Sequence, residues 1–238
     1  MNLVKRCATS FRNFMSRKLF KVIERYSRGK VLDVGGWEFY QYVSHKKLSV
    51  ESWLNLDIDP GRTTNIKDNV YQSIVGDGCD LCFGNNTFDV VLNIQVLEHD
   101  MNPLRMVEEI GRVLKPNGHA IFLIPQTASI HLIPKCYYNF TIYWIREALR
   151  KGKMEIVETY PLGGTWTTIA YKMLYANLQA LRVNGFSSSE YKRNAAFYVL
   201  YPLMILYSAV SLPILAILQL GDLKEDANNH IVVAKKEL

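Results

Sequence analysis

Along this chain, short apolar runs alternate with stretches in which apolar residues recur every three or four positions. The runs read as strands and the periodic stretches as helices. Lys30–Gly36 reads as a buried strand ending in a tight Gly-Gly turn. Further strands are predicted at Trp53–Asp57, Val70–Val75, Phe88–Ile94, His119–Ile124, Met154–Tyr160 and His230–Lys235. Ahead of the first strand, Phe11, Phe14, Met15, Leu19, Val22, Ile23 and Tyr26 mark one face of an amphipathic helix. A second helix is predicted over Glu38–Lys47. The strongest helix signal follows Asn102, a good cap, and Pro103, which suits the first helical position. Leu104, Val107, Ile110 and Leu114 then form one stripe, with Arg112 and Lys115 at the negative end of the helix dipole. Strands alternating with helices predict a doubly wound, mostly parallel α/β sheet.

One stretch breaks the alternation. Phe197–Leu220 is 24 residues without a formal charge. As one helix it would be about 36 Å long, enough to cross a hydrocarbon core of about 30 Å. A plain span conflicts with the strand at His230–Lys235, which must rejoin the sheet on the same side. Pro202 and Pro213 predict a bend or break. The segment therefore reads as a monotopic, re-entrant insertion at the cytoplasmic face of a membrane. The chain divides into a basic amphipathic helix (1–29), an α/β domain (30–190), the apolar insertion (191–226) and a last strand (227–238).

Charge adds to this picture. Residues 1–30 hold nine Lys and Arg against Glu24 alone, leaving 19 bases and 21 acids for the remainder. A basic arm on a nearly neutral body suits anionic lipid or nucleic acid, and its confinement to one terminal helix makes nucleic acid the less favoured of the two. Cys7, Cys79, Cys82 and Cys136 are too scattered for a disulfide framework. Cys79-x-x-Cys82 lacks the second ligand pair that zinc needs, so no metal is expected.

In a doubly wound sheet, ligands bind outside the carboxyl ends of the strands where the strand order reverses. Asp33-x-Gly35-Gly36 stands at one such end, and Asp57 at another, 24 residues after Asp33. That resembles the separation of a nucleotide-binding glycine loop from the acid that holds a ribose, about 20 residues. Structural roles remain open beside this one: Asp33 as a turn cap, Asp77 as an Asx-turn residue, Asn93 as a satisfied buried amide, His99 as a brace for the next turn.

The succession Val75-Gly-Asp77-Gly, Leu81-Cys-Phe83, Asn86-Thr-Phe88-Asp-Val-Val, Val96-Leu-Glu-His99 and Arg112-Val-Leu-Lys-Pro-Asn-Gly118 resembles the type-11 class I methyltransferases in order and spacing. Pro125, His131-Leu-Ile-Pro134, Tyr137-Tyr138, Phe140-Thr141 and Gly163-Gly164 are similar to the branch associated with surface polysaccharide and lipid-linked sugars. The resemblance implies a Rossmann-like sheet with an antiparallel C-terminal strand, and S-adenosyl-L-methionine as cofactor. It implies that Asp33, Gly35 and Gly36 shape the pocket for the methionine end, Asp57 holds the ribose, Asp77 meets the adenine, and Asn93 and Gln95 line the site. His99 and His131 follow strand ends and are the candidate proton acceptors, with imidazoles that can be neutral at physiological pH. The pattern departs at Trp37 and Phe39, which stand where further glycines would fall, and at Cys136 and Asn139. The expected function is methyl transfer to a hydroxyl of a small-molecule or lipid-linked acceptor, such as a glycan precursor. Alternatives are a quinone or other lipid acceptor, or a non-catalytic methyltransferase-like protein for assembly at a membrane.

Overall fold

The computed structural model describes residues 17–46, 48–63, 66, 68–180 and 193–238. Residues 17–26 are helical (α1). Then come β1 (Arg28–Val34), α2 (Phe39–Val43), β2 (Ser49–Asp57), β3 (Tyr71–Val75), β4 (Phe88–Ile94) and a 3-10 turn, Leu97–His99. They are followed by α3 (Pro103–Val113), β5 (Leu114–Pro125), α4 (Ile142–Lys151), β6 (Met154–Leu162), α5 (Thr165–Ala180), α6 (Ala195–Leu218) and β7 (Asn229–Lys236). The strands form one sheet in the order β3-β2-β1-β4-β5-β7-β6. β1 to β5 pair in parallel, and β7 runs antiparallel to both β5 and β6. This is the expected doubly wound, Rossmann-like sheet, with an apolar helix before its final strand.

Alternating side chains feed two cores. Leu32, Val91, Phe122 and Val232 face α3 and α4, while Val31, Leu92, Ile121 and Val233 face α1 and α2. Both faces being covered explains why these strands are apolar at successive positions. Leu19, Val22 and Ile23 of α1 are buried in the second core, so the amphipathic reading holds for this part of the helix. The earlier positions Lys5, Arg6, Phe11, Arg12, Phe14 and Met15 lie outside the described residues.

Four local expectations change. α2 is shorter than Glu38–Lys47, ending at Val43 before Ser44. Asn102 holds the cap position of α3 but its side chain makes no capping bond; instead Asp100 accepts from the Asn102 N–H at 2.6 Å. His230 is buried on β7, bonded to Gln126 at 2.9 Å, although its sequence context reads as surface. α6 continues unbroken through Pro202 and Pro213.

α5 and α6 form an antiparallel hairpin between β6 and β7. Arg193 donates to the carbonyls of Gln179 and Ala180, Asn177 Nδ2 to Ser208 Oγ at 2.8 Å, and the Trp166 N–H to Asp222 at 2.8 Å. The expected insertion boundary at 191 lies outside the described residues.

Arg112 gives the Arg-Val-Leu-Lys-Pro motif a structural role. It donates to Glu109, to the carbonyls of Leu81 and Phe83 and to Asn85, tying the chain before β4 onto α3. Glu109 is buried and accepts as well from the Leu81 N–H. Arg112→Ala should lower stability by about 2–3 kcal/mol, because several charge-assisted bonds go and a buried carboxylate keeps only the half-exposed Arg105 and the Leu81 N–H. Denaturant unfolding measures this, and a loss within about 0.5 kcal/mol would contradict it.

Candidate active site

The chain runs outward from β1 to β3 on one side and from β4 to β5 on the other, so the reversal lies between β1 and β4. A cleft of about 880 Å³ opens there, at the carboxyl ends of β1, β2 and β4. Gly35, Gly36, Asp57, Asp77, Gln95 and His99 line it.

Gly35 takes the left-handed conformation, with φ of +72°, and a Cβ there would lie 2.6 Å from Val96 Cγ2. A Cβ on Gly36 would lie 2.1 Å from Asp33 Oδ2. The turn therefore brings bare backbone to the wall of the cleft, with no room for side chains behind it. Trp37 continues the turn at φ of +41°. A left-handed conformation costs a non-glycine residue about 1–2 kcal/mol. The Arg62 guanidinium, 5.3 Å from the Trp37 ring centre, offsets part of that.

Two expected site residues stand behind the wall and not on it. Asp33 is buried beneath Gly36, where its Oδ2 accepts from Trp53 Nε1 at 3.3 Å. Burial holds its carboxyl up at about 7, with Asp57 nearby adding to the effect. Asn93 is buried too, its Nδ2 on Met106 Sδ at 3.2 Å, and is not among the lining residues. Asp57 closes β2: Oδ1 accepts from the Asp59 N–H at 3.0 Å, while Oδ2 is buried without a partner. Asp77 makes the Asx turn, accepting from the Cys79 N–H at 2.8 Å. Gln95 has φ of +59° and donates to Asn229 Oδ1 at 2.7 Å.

At the other end of the cleft stands a cluster that no spacing in the sequence announces. The segment after β5 folds back over the Leu97–His99 turn, with the Tyr137 N–H bonded to the Glu98 carbonyl at 2.8 Å. It brings the His131 ring to 4.9 Å from that of His99. Glu98 lies beneath both, fully buried, its carboxyl pushed up to about 8 by burial. Burial also lowers the His99 pKa, favouring the neutral ring.

Residues 32–122, within which the glycine turn, Asp57, Asp77 and the His99 turn all fall, match the family model of the methyltransferase domain. By this match, residues 32–122 are a methyltransferase domain. Its cofactor is S-adenosylmethionine. No curated protein matches the chain by sequence. Among solved structures, it is similar to a chain of the complex between the Haloferax volcanii Trm112 methyltransferase activator and a methyltransferase. That match has 15% identity and a TM-score of 0.63, over 99% of this chain and 95% of that one. It is similar also to the [4+2]-cyclase SpnF, at 16% identity and a TM-score of 0.62, over 93% and 81% of the two chains. A third is Haemonchus contortus phosphoethanolamine N-methyltransferase 2 in complex with S-adenosyl-L-methionine, at 16% identity and 0.57, over 95% and 56%. At such identities the likeness is one of fold, and a fold of this kind carries more than one reaction.

The cleft of the methyltransferase domain fits the cofactor on three observations. Its volume admits a nucleoside and an acceptor together. The glycine turn presents backbone that a Cβ would block, and Asp57 keeps a buried carboxylate oxygen with no partner among the described residues.

Asp33 generates a pH dependence. Its folded pKa of about 7 stands above the ordinary 3.8, so the folded domain keeps a proton that the unfolded chain gives up. The stability this contributes is complete below about 4 and is lost as pH rises to about 7. Asp33→Asn keeps an oxygen for Trp53 and cannot ionise. The thermal midpoint of the cofactor-free variant should vary less between pH 4 and 7 than the parent's; superimposable profiles would refute the assignment.

Proposed function

We propose that the protein is a membrane-bound S-adenosylmethionine-dependent methyltransferase acting on a hydroxyl of a lipid-linked or other membrane-associated small molecule, such as a glycan precursor. The observation that carries this reading is one cleft joining two unlike ends. At one end are the glycine turn and the free oxygen of Asp57; at the other is the neutral imidazole of His99, with its neighbour His131 just behind the lining. When bound, the sulfonium supplies the methyl group, the C–S electron pair returning to sulfur as the acceptor O–C bond forms and the hydroxyl proton leaves.

Asp57 would accept hydrogen bonds from the ribose, and the bare backbone of Gly35 and Gly36 would pass the methionine end. Asp33 would support that turn from below. Asp77 would face the adenine and Gln95 the middle of the cleft, while Asn93 would act from behind the wall. His99 and His131 would serve the acceptor, giving its proton a place to go.

The membrane reading rests on α6. Only 11% of its most apolar stretch is buried, against α5 at Ser208 and Leu215. Val199, Leu203, Leu206, Tyr207, Val210 and Ile217 are exposed around the rest of the helix. An apolar helix bare on most of its circumference needs a lipid or protein environment. Both ends of the hairpin join one sheet, which suits a monotopic seat at the cytoplasmic face better than a single span. Tyr175 of α5 donates to the Ile130 carbonyl at 3.2 Å, next to His131, so the hairpin base adjoins the acceptor end. The basic residues of α1 and of the chain before it would supply a second, electrostatic attraction to anionic headgroups.

Two experiments test this. Calorimetry should show S-adenosylmethionine binding, weakened about ten- to hundredfold in Asp57→Ala; unchanged affinity in a folded variant would overturn the cofactor site. On fractionation, the full chain should sediment with membranes and need detergent for release. A version with 197–220 replaced by a polar linker should stay in the supernatant and still bind cofactor. A parent chain that is monomeric without detergent would defeat the membrane reading.

A further inference from the structure

Glu98, His99 and His131 are wired so that three acceptor atoms face one another. Both carboxylate oxygens of Glu98 are buried without a hydrogen-bond partner, and so is Nε2 of His99. His99 Nδ1 bonds the carbonyl of Lys135, and His131 Nδ1 bonds that of Ser129 at 3.2 Å. A carbonyl oxygen only accepts, so each ring carries a proton on Nδ1, and in its neutral form leaves a lone pair on Nε2. The two Nε2 atoms point at Glu98 Oε1, from 3.9 Å for His99 and 3.7 Å for His131. The three ligand atoms lie within 4.8 Å of one another.

No N–H or hydroxyl among the described residues donates toward its centre. A buried, unpartnered carboxyl group is costly, and lone pairs converging on it add repulsion, unless a proton or a metal cation stands between them. The distances suit a metal cation. Two atoms bound to the same ion at about 2.0–2.2 Å stand roughly 3.0–3.6 Å apart. The two carboxyl–imidazole separations need contract by only a few tenths of an ångström. The backbone carbonyls behind both rings fix the tautomer and aim the free nitrogens, as outer-shell partners of metal-bound histidines do.

We propose that Glu98, His99 and His131 bind one divalent first-row transition-metal ion through the carboxylate and both Nε2 atoms. Two imidazoles among three ligands favour zinc or its neighbours over magnesium or calcium, which prefer oxygen. Three protein ligands leave a coordination position open, and His99 lines the cleft, so that position faces the acceptor end. There the ion lowers the pKa of a hydroxyl that reaches it, the proton passing to water. With the ion bound, the histidines serve the acceptor as ligands, in place of the proton-accepting role proposed for them above. This role rests on the methyl-transfer reading; the site itself does not. It owes nothing to Cys79 and Cys82.

The test uses the full chain in detergent, with any affinity tag removed and metal stripped by chelator. Zn²⁺ is titrated by calorimetry and Co²⁺ by visible absorption, both without S-adenosylmethionine. One ion should bind per chain, with a Co²⁺ spectrum of nitrogen and oxygen coordination, and Mg²⁺ in excess should not displace it. His131→Ala and Glu98→Gln should each weaken Zn²⁺ binding at least tenfold, by about 1.4 kcal/mol or more. S-adenosylmethionine titrated onto His131→Ala should bind with unchanged affinity, which shows an intact fold. His131 is a partly exposed loop residue and carries the test if Glu98→Gln does not fold. A parent chain that takes up no stoichiometric ion, variants that bind as the parent does, or equal affinity for Mg²⁺ each overturn the proposal. Zinc binding without cofactor binding would sink the methyltransferase reading and leave the site standing; cofactor binding without zinc would do the reverse.

Discussion

The turn at Gly35 and Gly36 is clamped from both sides, and the geometry of the cleft follows from that clamp. Val96, just past β4, leaves no space for a side chain on Gly35, and the buried carboxyl of Asp33 leaves none on Gly36. β1 lies between β2 and β4, so the same contact fixes how far the loops after those strands can part. Asp57 at the end of β2 and Gln95 after β4 are thereby held on opposite walls. Asp33 acts from underneath, through Trp53 and the backbone it supports.

The two halves of the site differ in how they are built. The cofactor half consists of strand ends and is as rigid as the sheet. The half around Glu98 depends on the long segment after β5, which reaches back over the Leu97–His99 turn through the Tyr137 N–H on the Glu98 carbonyl and the His99 ring on the Lys135 carbonyl. That segment is also held from the far side by α5, through Tyr175 and through Thr127 beside Thr168. That end of the cleft is thus suspended between the sheet and the hairpin.

The alternation of apolar runs and helical periodicity carried the sheet well, because strands covered on both faces leave an unmistakable apolar record. β4 was legible to the residue, since Asn86-Thr on one side and the turn after Ile94 on the other delimit it sharply. The cap of α3 was misread in chemistry though not in place, because Asp100 was as eligible as Asn102 and only the turn geometry decides between them. His230 follows the polar, charged run Lys224–Asn229 and so reads as surface, yet β7 lies inside the sheet. Asp33 and Asn93 sit at strand positions whose side chains turn away from the cleft, which period-two alternation could have signalled. The Glu98–His99–His131 cluster was beyond reach: its members share no periodic spacing, and only the return of the loop after β5 joins them. Proline removed hydrogen bonds from α6 as expected, but its neighbours kept helical geometry through both sites.

β7 is the last strand made and not the last in space. It separates β5 from β6 and pairs with both along nearly its whole length. Until it is added, β6 has no partner in the sheet and β5 keeps an open edge. During synthesis the whole α5–α6 hairpin therefore leaves the ribosome while the sheet is still incomplete. The apolar helix meets its surroundings first, and the domain closes afterwards. Zipping α5 onto α6 brings the two ends of this long connection together, so that β7 searches for its slot over a much shorter effective loop. The order of elements along the chain thus makes placement of the hairpin an early event and completion of the active domain a late one.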